Sequence, residues 1–277
     1  MSTLNAGPIA GQESAWALDV SGTAPIPFSR LVKVEFRKML DTRGGFWLLL
    51  CTLGLLVLVV GVVFLIIGLD DMATSAQDWM QILVFPLSIL LPVFPILAAT
   101  SEWSQRTGLV TFALVAGRTR VMAAKLVAVL ALGGATFLVA VVIGALANPL
   151  GAALGGYPVQ WNIDGQEMFW TLFVQLLYFL MAFGLGAAIL NTPGAVAMFY
   201  VFGLLLPLML YSFLVFSFEW AQKVIPFIDL QFGTGPLFSG VSNLSGLETA
   251  QAVVSILLWV VAPILVGLNR IHRSEIK

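Results

Sequence analysis

The chain has one histidine and one cysteine among 277 residues, and each scarcity closes off a chemistry. His272 alone cannot form a His-pair zinc motif, and its place in the tail argues against a Ser–His intramembrane protease. Cys51 alone cannot form an intramolecular disulfide, and from its place in an apolar run a small packed side chain is expected. Charge is scarce as well. Asp, Glu, Lys and Arg make up 10% of the chain, where a soluble domain carries about a quarter. No Gly-x-x-x-x-Gly-Lys-Ser/Thr phosphate loop occurs, nor any Gly-Lys pair, so the chain lacks the usual means of cradling ATP. The interiors of the apolar runs hold no ionisable residue, Lys125 standing at an edge. Intramembrane charges normally mark proton or ion paths, so this absence, with the lack of an internal repeat, argues against a proton-coupled carrier.

Long apolar runs are abundant, and hydrophobic residues are 60% of the chain. Six runs, near 46–69, 80–100, 124–147, 168–189, 194–215 and 250–269, each supply the roughly 20 residues that cross a hydrocarbon layer. The expected fold class is an all-α membrane protein with six transmembrane helices. Residues 1–27, rich in Gly, Ser, Pro and Thr, read as a flexible cytoplasmic tail with no cleavable signal, and 270–277 as a second cytoplasmic tail. The expected organisation is therefore an interfacial amphipathic helix over 28–45 followed by one transmembrane domain over 46–269. The polar stretches are too short for a soluble catalytic domain.

Charge placement gives an orientation. Of the thirteen basic residues, all but Lys223 fall before span one, between spans two and three, or after span six. The positive-inside bias then puts both termini in the cytoplasm of a multi-pass plasma-membrane protein. Trp47, Trp79, Trp103, Trp161, Trp170 and Trp220 fall near span ends, where an amphipathic ring favours the headgroup zone.

From Phe28 to Arg43 the helical period groups Phe28, Leu31, Val32, Phe36, Met39 and Leu40 on one arc, with Arg30, Lys33 and Arg37 opposite. Glu35 projects onto the apolar arc. An unpaired carboxylate there is costly, so a partner is expected for it. The connection between spans two and three is the most informative polar segment. It runs Ser101-Glu102-Trp103-Ser104-Gln105-Arg106-Thr107-Gly108, continues as an apolar stretch from Leu109 to Ala116, and ends Gly117-Arg118-Thr119-Arg120 before Lys125. A short helix over 109–116, bracketed by charge, suits either the lipid surface or a groove on a soluble partner.

This layout resembles the membrane-spanning permease subunit of ABC-2 type transporters, many of them exporters. In that family a Glu, five residues and a Gly precede a short apolar helix, then Pro-x-Ser-Arg and a Lys opening span three. The present chain matches with Glu102, Gly108, Arg120 and Lys125, and differs with Gly117 in place of Pro and Thr119 in place of Ser. The resemblance covers about residues 28–275. It implies an ABC-2 (type V exporter-like) architecture in which the connection docks on a separate ATP-binding subunit. Glu102, Arg106, Gly108, Arg118 and Arg120 would then bracket the coupling surface. Glu102 would tie span two to a neighbouring cation, Gly108 would permit the turn, and the two later arginines would face the ATPase.

The implied function is export of an amphipathic or hydrophobic compound (a drug, peptide or lipid-like molecule). Two copies of an ABC ATP-binding protein would drive it, with a second permease subunit as homodimer or heterodimer. The chain itself is not expected to be an enzyme or to bind metal or nucleic acid; ATP and Mg would sit on the partner. A non-transporting membrane scaffold and an ATP-independent channel or scramblase are the alternatives. Leu244 to Glu248 superficially resembles an ABC ATPase signature, but it departs from that sequence and lies on the wrong side for ATP.

Pro86, Pro92 and Pro95 are expected to kink span two, and Pro207 lies in span five among aromatic residues. In the resembling family spans two and five face a central path, so Ser88, Pro92, Phe202 and Tyr211 are its expected lining. Gln175 in span four is open to the same path-lining reading, with an interhelical hydrogen bond the favoured expectation. The stretch from Phe216 to Thr249 is too apolar for a free loop and is expected to form short helices capping the outer exit.

Overall fold

The structure, a computed structural model, describes residues 26–70, 72–104 and 117–273. The described residues form helices and turns, with no strands. Six helices are long and apolar enough to cross a membrane: Arg43–Leu69, Ala76–Ser104, Arg118–Gly155, Gly165–Ile189, Thr192–Ser217 and Gly246–Ile271, here spans one to six. An entry helix, Phe28–Asp41, precedes them and packs across spans one and three and the end of span two. Its Leu31, Val32, Phe36 and Leu40 are half-buried and Met39 is buried, while Arg30, Lys33 and Arg37 are exposed. Phe28, assigned to the apolar arc by periodicity, is exposed at the helix start. The turn into span one needs Gly45, because a Cβ there would overlap the carbonyl of Met39.

The helices outrun the apolar cores that announce them. Hydropathy locates the hydrocarbon-compatible stretch, whereas hydrogen-bond caps set where a helix stops. Span three reaches Gly155 with Pro149 inside it, and stops where Gly156 takes a left-handed φ of 66°. Span two begins at a capping box, with Ser75 and Asp78 each bonding the other's backbone amide. Span six begins in the same way with Ser245 and Glu248. The segment that superficially resembles an ATPase signature is thus a helix start.

Proline shapes spans two and five. Span two breaks at Leu91–Pro92, between helices Ala76–Leu90 and Val93–Ser104. Pro92 cannot donate to the helical ladder, and beside the break the Ile89 carbonyl accepts a hydrogen bond from the Tyr200 hydroxyl of span five at 2.6 Å. Around Pro207, span five widens into a π-helix over Val201–Tyr211. The Ser212 hydroxyl donates to the Pro207 carbonyl at 2.7 Å. Span six has a shorter π segment, Leu257–Val261, whose Trp259 ring lies 5.0 Å from that of Phe202.

Span four is the central post, contacting spans two, three, five and six. Small residues allow the approach. A Cβ on Gly186 would lie 2.9 Å from Cβ of Ala99 and 3.2 Å from Cα of Ile96 in span two. One on Gly267 would lie 2.6 Å from Cβ of Ala187. In an apolar solvent helices gain little by burying oily surface, so close backbone contact matters more. Gly186→Ala is expected to destabilise the protein by about 1–3 kcal/mol through overpacking. Gly134→Ala, with nothing within 4 Å of its Cβ position, is expected to stabilise by about 0.5–1 kcal/mol. Thermal unfolding of both variants in detergent checks the contrast; equal shifts would deny the close-packing role.

Candidate functional site

At the end of the bundle that holds the entry helix and the end of span six lies a buried cluster of charge. Lys125, in the second turn of span three, is 1% exposed. Its Nζ lies 2.8 Å from Oε1 of Glu102 at the end of span two and 2.9 Å from Oε2 of Glu35 on the entry helix. It also donates to the Ala98 carbonyl at 2.9 Å and approaches the Ser101 hydroxyl at 3.1 Å. Lys38, half exposed at the rim, is 2.7 Å from Glu35 and 3.8 Å from Glu102. Two carboxylates and two ammonium groups therefore balance. An isolated buried ion costs several kcal/mol, and such a group persists only with this degree of pairing and hydrogen bonding.

The partner expected for Glu35 is thus Lys125, reinforced by Lys38. Burial pushes the Glu35 carboxyl up, but the two ammonium groups outweigh it and hold the group below its ordinary value. The apolar windows alone hide this arrangement, since Lys125 stands at the edge of one and Glu102 just beyond another, both inside the helices. The available signals were the carboxylate on an apolar arc and a lysine opening an otherwise apolar helix.

Further contacts staple the same end. Arg118 donates to the Ile271 carbonyl of span six at 2.7 Å, and Arg120 to the Ile26 carbonyl at 2.6 Å. Arg270 donates to the Ala188 carbonyl at 2.7 Å, and the Thr100 and Thr192 hydroxyls share a hydrogen bond of 2.7 Å. Of the five residues assigned to the coupling surface, Glu102, Arg118 and Arg120 therefore all hold together parts of this chain. Arg106, Gly108 and the short helix expected over 109–116 lie outside the described residues.

Toward the other end is a cavity of about 710 Å³ between spans two, four and five and the segment that joins spans five and six. Ser88 is on its wall, its hydroxyl donating to the Phe85 carbonyl at 2.7 Å. The other three residues expected on a path are elsewhere: Pro92 is buried at the break in span two, Phe202 packs on Trp259, and half-buried Tyr211 is off the wall. The aromatic wall is instead built by Phe85, Tyr178, Phe199, Tyr200, Phe232 and Phe238. Gln175 also lines it. It is 6% exposed, and its Nε2 has no hydrogen-bond partner among the described residues, contrary to the interhelical bond expected of it. A buried donor left unpaired costs roughly 1–3 kcal/mol.

The stretch from Phe216 to Thr249 does fold into short helices, including Glu219–Ile228 and Leu230–Thr234, and residues from 231 to 238 form part of the cavity wall. Trp259 of span six donates to the Ile228 carbonyl at 2.7 Å, and Gln251 to the Lys223 carbonyl at 3.0 Å, fixing the cover to span six. Among the described residues no cluster of His, Cys, Asp and Glu could hold a metal ion. No family model matches this chain, and no curated protein matches it.

Proposed function

We propose that this chain is the permease subunit of an ATP-driven exporter of the ABC-2 type. It would lie in the plasma membrane with both termini cytoplasmic, pair with a second permease, and draw force from two ATP-binding subunits. The supporting observation is mechanical. The twelve residues 105–116 connect two helices joined at their roots by the Glu102–Lys125 ion pair, and the same lysine grips Glu35 of the entry helix. A push on that connection would reach spans two and three and the entry helix through one rigid, dry contact. Packed elements of this kind pass on small displacements because they do not deform continuously.

Arg118 and Arg120 flank the connection, and in this reading they border the surface that meets the ATPase. The double substitution Arg118→Ala/Arg120→Ala is expected to lower co-purification of the ATP-binding subunit at least tenfold, along with permease-stimulated ATP turnover. Because both arginines also bond within the chain, the thermal midpoint of the variant is measured alongside. Wild-type co-purification and turnover would defeat the coupling assignment. Cargo movement by the isolated chain without ATP would instead favour the channel or scramblase.

A further inference from the structure

The geometry points to the cavity between spans two, four and five as a binding site for a neutral, single-chain amphiphile whose carbonyl or other acceptor takes the hydrogen bond offered by Gln175. Three observations converge. The cavity volume, about 710 Å³, falls in the range that takes one drug-sized ligand, roughly 300–1,000 Å³. Its wall is mainly aromatic and aliphatic, with no Asp, Glu, Lys, Arg or His, so it offers an ion no counter-charge. The third is Gln175 itself, on a helix face turned to this wall, more than nine-tenths buried, with an amide nitrogen that finds no acceptor in the described chain.

That nitrogen is a donor only, so its complement is an acceptor: an ester or amide carbonyl, an ether, or a hydroxyl. The apolar body of the ligand would lie against Phe199, Leu204 and Leu208 of span five, with Phe232 and Phe238 of the segment joining spans five and six above. The site discriminates against carboxylates and ammonium ions for want of a counter-charge, and against pure hydrocarbons through the hydrogen bond that Gln175 offers. A glyceride of the surrounding membrane and a free hydrophobic compound share the required chemistry. This assignment stands apart from the ATP-driven function, because it is measured on the chain alone.

The test uses full-length protein in detergent and a monoacylglycerol carrying a diazirine on its acyl chain. Photolabelling followed by peptide mass spectrometry is expected to mark segments 199–208 and 231–238, with unlabelled monoolein competing. Gln175→Leu, close in size, is expected to weaken monoolein competition about tenfold while a diazirine-bearing alkane labels both proteins equally. The fatty acid of the same chain length, ionised at pH 8, should compete at least tenfold less well than monoolein. Ser88→Trp, which fills the cavity from span two, is expected to abolish labelling by either probe, with thermal unfolding confirming that both variants fold. Label confined to the outward faces of spans one and five, or Gln175→Leu binding monoolein as wild type does, overturns the assignment. Lipid mass spectrometry of protein from membranes then identifies the source. A glyceride retained by wild type and lost from Gln175→Leu marks a resident lipid, whereas no retained lipid alongside intact probe binding marks a free compound.

Discussion

Lys125→Met is expected to destabilise the protein by about 3–5 kcal/mol, the cost of removing one partner from a buried ion pair. The substitution leaves two carboxylates behind. Glu35 retains Lys38 at 2.7 Å, but Glu102, only 3% exposed, retains an ammonium no nearer than 3.8 Å. The damage should therefore concentrate on Glu102. Adding Glu102→Gln to Lys125→Met removes the stranded charge and is expected to restore more than half of the loss, although either substitution alone destabilises. A cycle of the four proteins, read by thermal or denaturant unfolding in detergent, gives the coupling energy directly. Additive effects would mean that the 2.8 Å contact carries no stability. Acid should act on the same cluster: Glu35, held below its ordinary value of 4.5, contributes stability that is present at neutral pH and fades as pH falls through its lowered folded value.

Much of the architecture was legible because a bilayer imposes a strong rule: each crossing needs a long apolar helix. The six runs are six helices, and the breaks at Pro92 and the widening at Pro207 occur where proline withholds a donor. Glu35 shows how far pattern reading goes. Its misplacement on an apolar arc announced a partner, but not that Lys125, ninety residues onward, would be that partner. Packing was less legible. Gly186 and Gly267 look like any other glycines in an apolar run, and only the neighbouring helix shows that a Cβ cannot fit. The cavity was legible only as far as its helices, for a related reason. Spans two and five do line it, but rotation about the helix axis decides which residues face inward, and the π segment shifts that rotation between Phe199 and Tyr211. Ser88 therefore reaches the wall and Phe202 does not.

Asp229→Asn is expected to stabilise the segment that joins spans five and six at neutral pH, by up to about 3 kcal/mol, and to remove a pH dependence of opposite sign to that of the charge cluster. Asp229 is 2% exposed, at the start of the short helix Leu230–Thr234, where its carboxylate accepts the Phe232 amide at 2.9 Å. Burial pushes its carboxyl up to about 6, against the pull of the Phe232 and Gln231 amides. Between its ordinary value of 3.8 and 6 the folded protein holds a proton that the unfolded chain has released, so stability falls as pH rises through that window and stays low above it. At 1.36 kcal/mol per pH unit this amounts to about 3 kcal/mol. Asparagine keeps an oxygen for the Phe232 amide and carries no charge. The thermal midpoint of the variant should exceed that of wild type at pH 7.5 and approach it at pH 5. An equal gap at both pH values would show that Asp229 is ionised in the folded protein throughout. Because residues 231–238 form cavity wall, the same titration should loosen the cover in wild type and leave it closed in the variant, which hydrogen exchange at the amides of Gln231 to Thr234 would report.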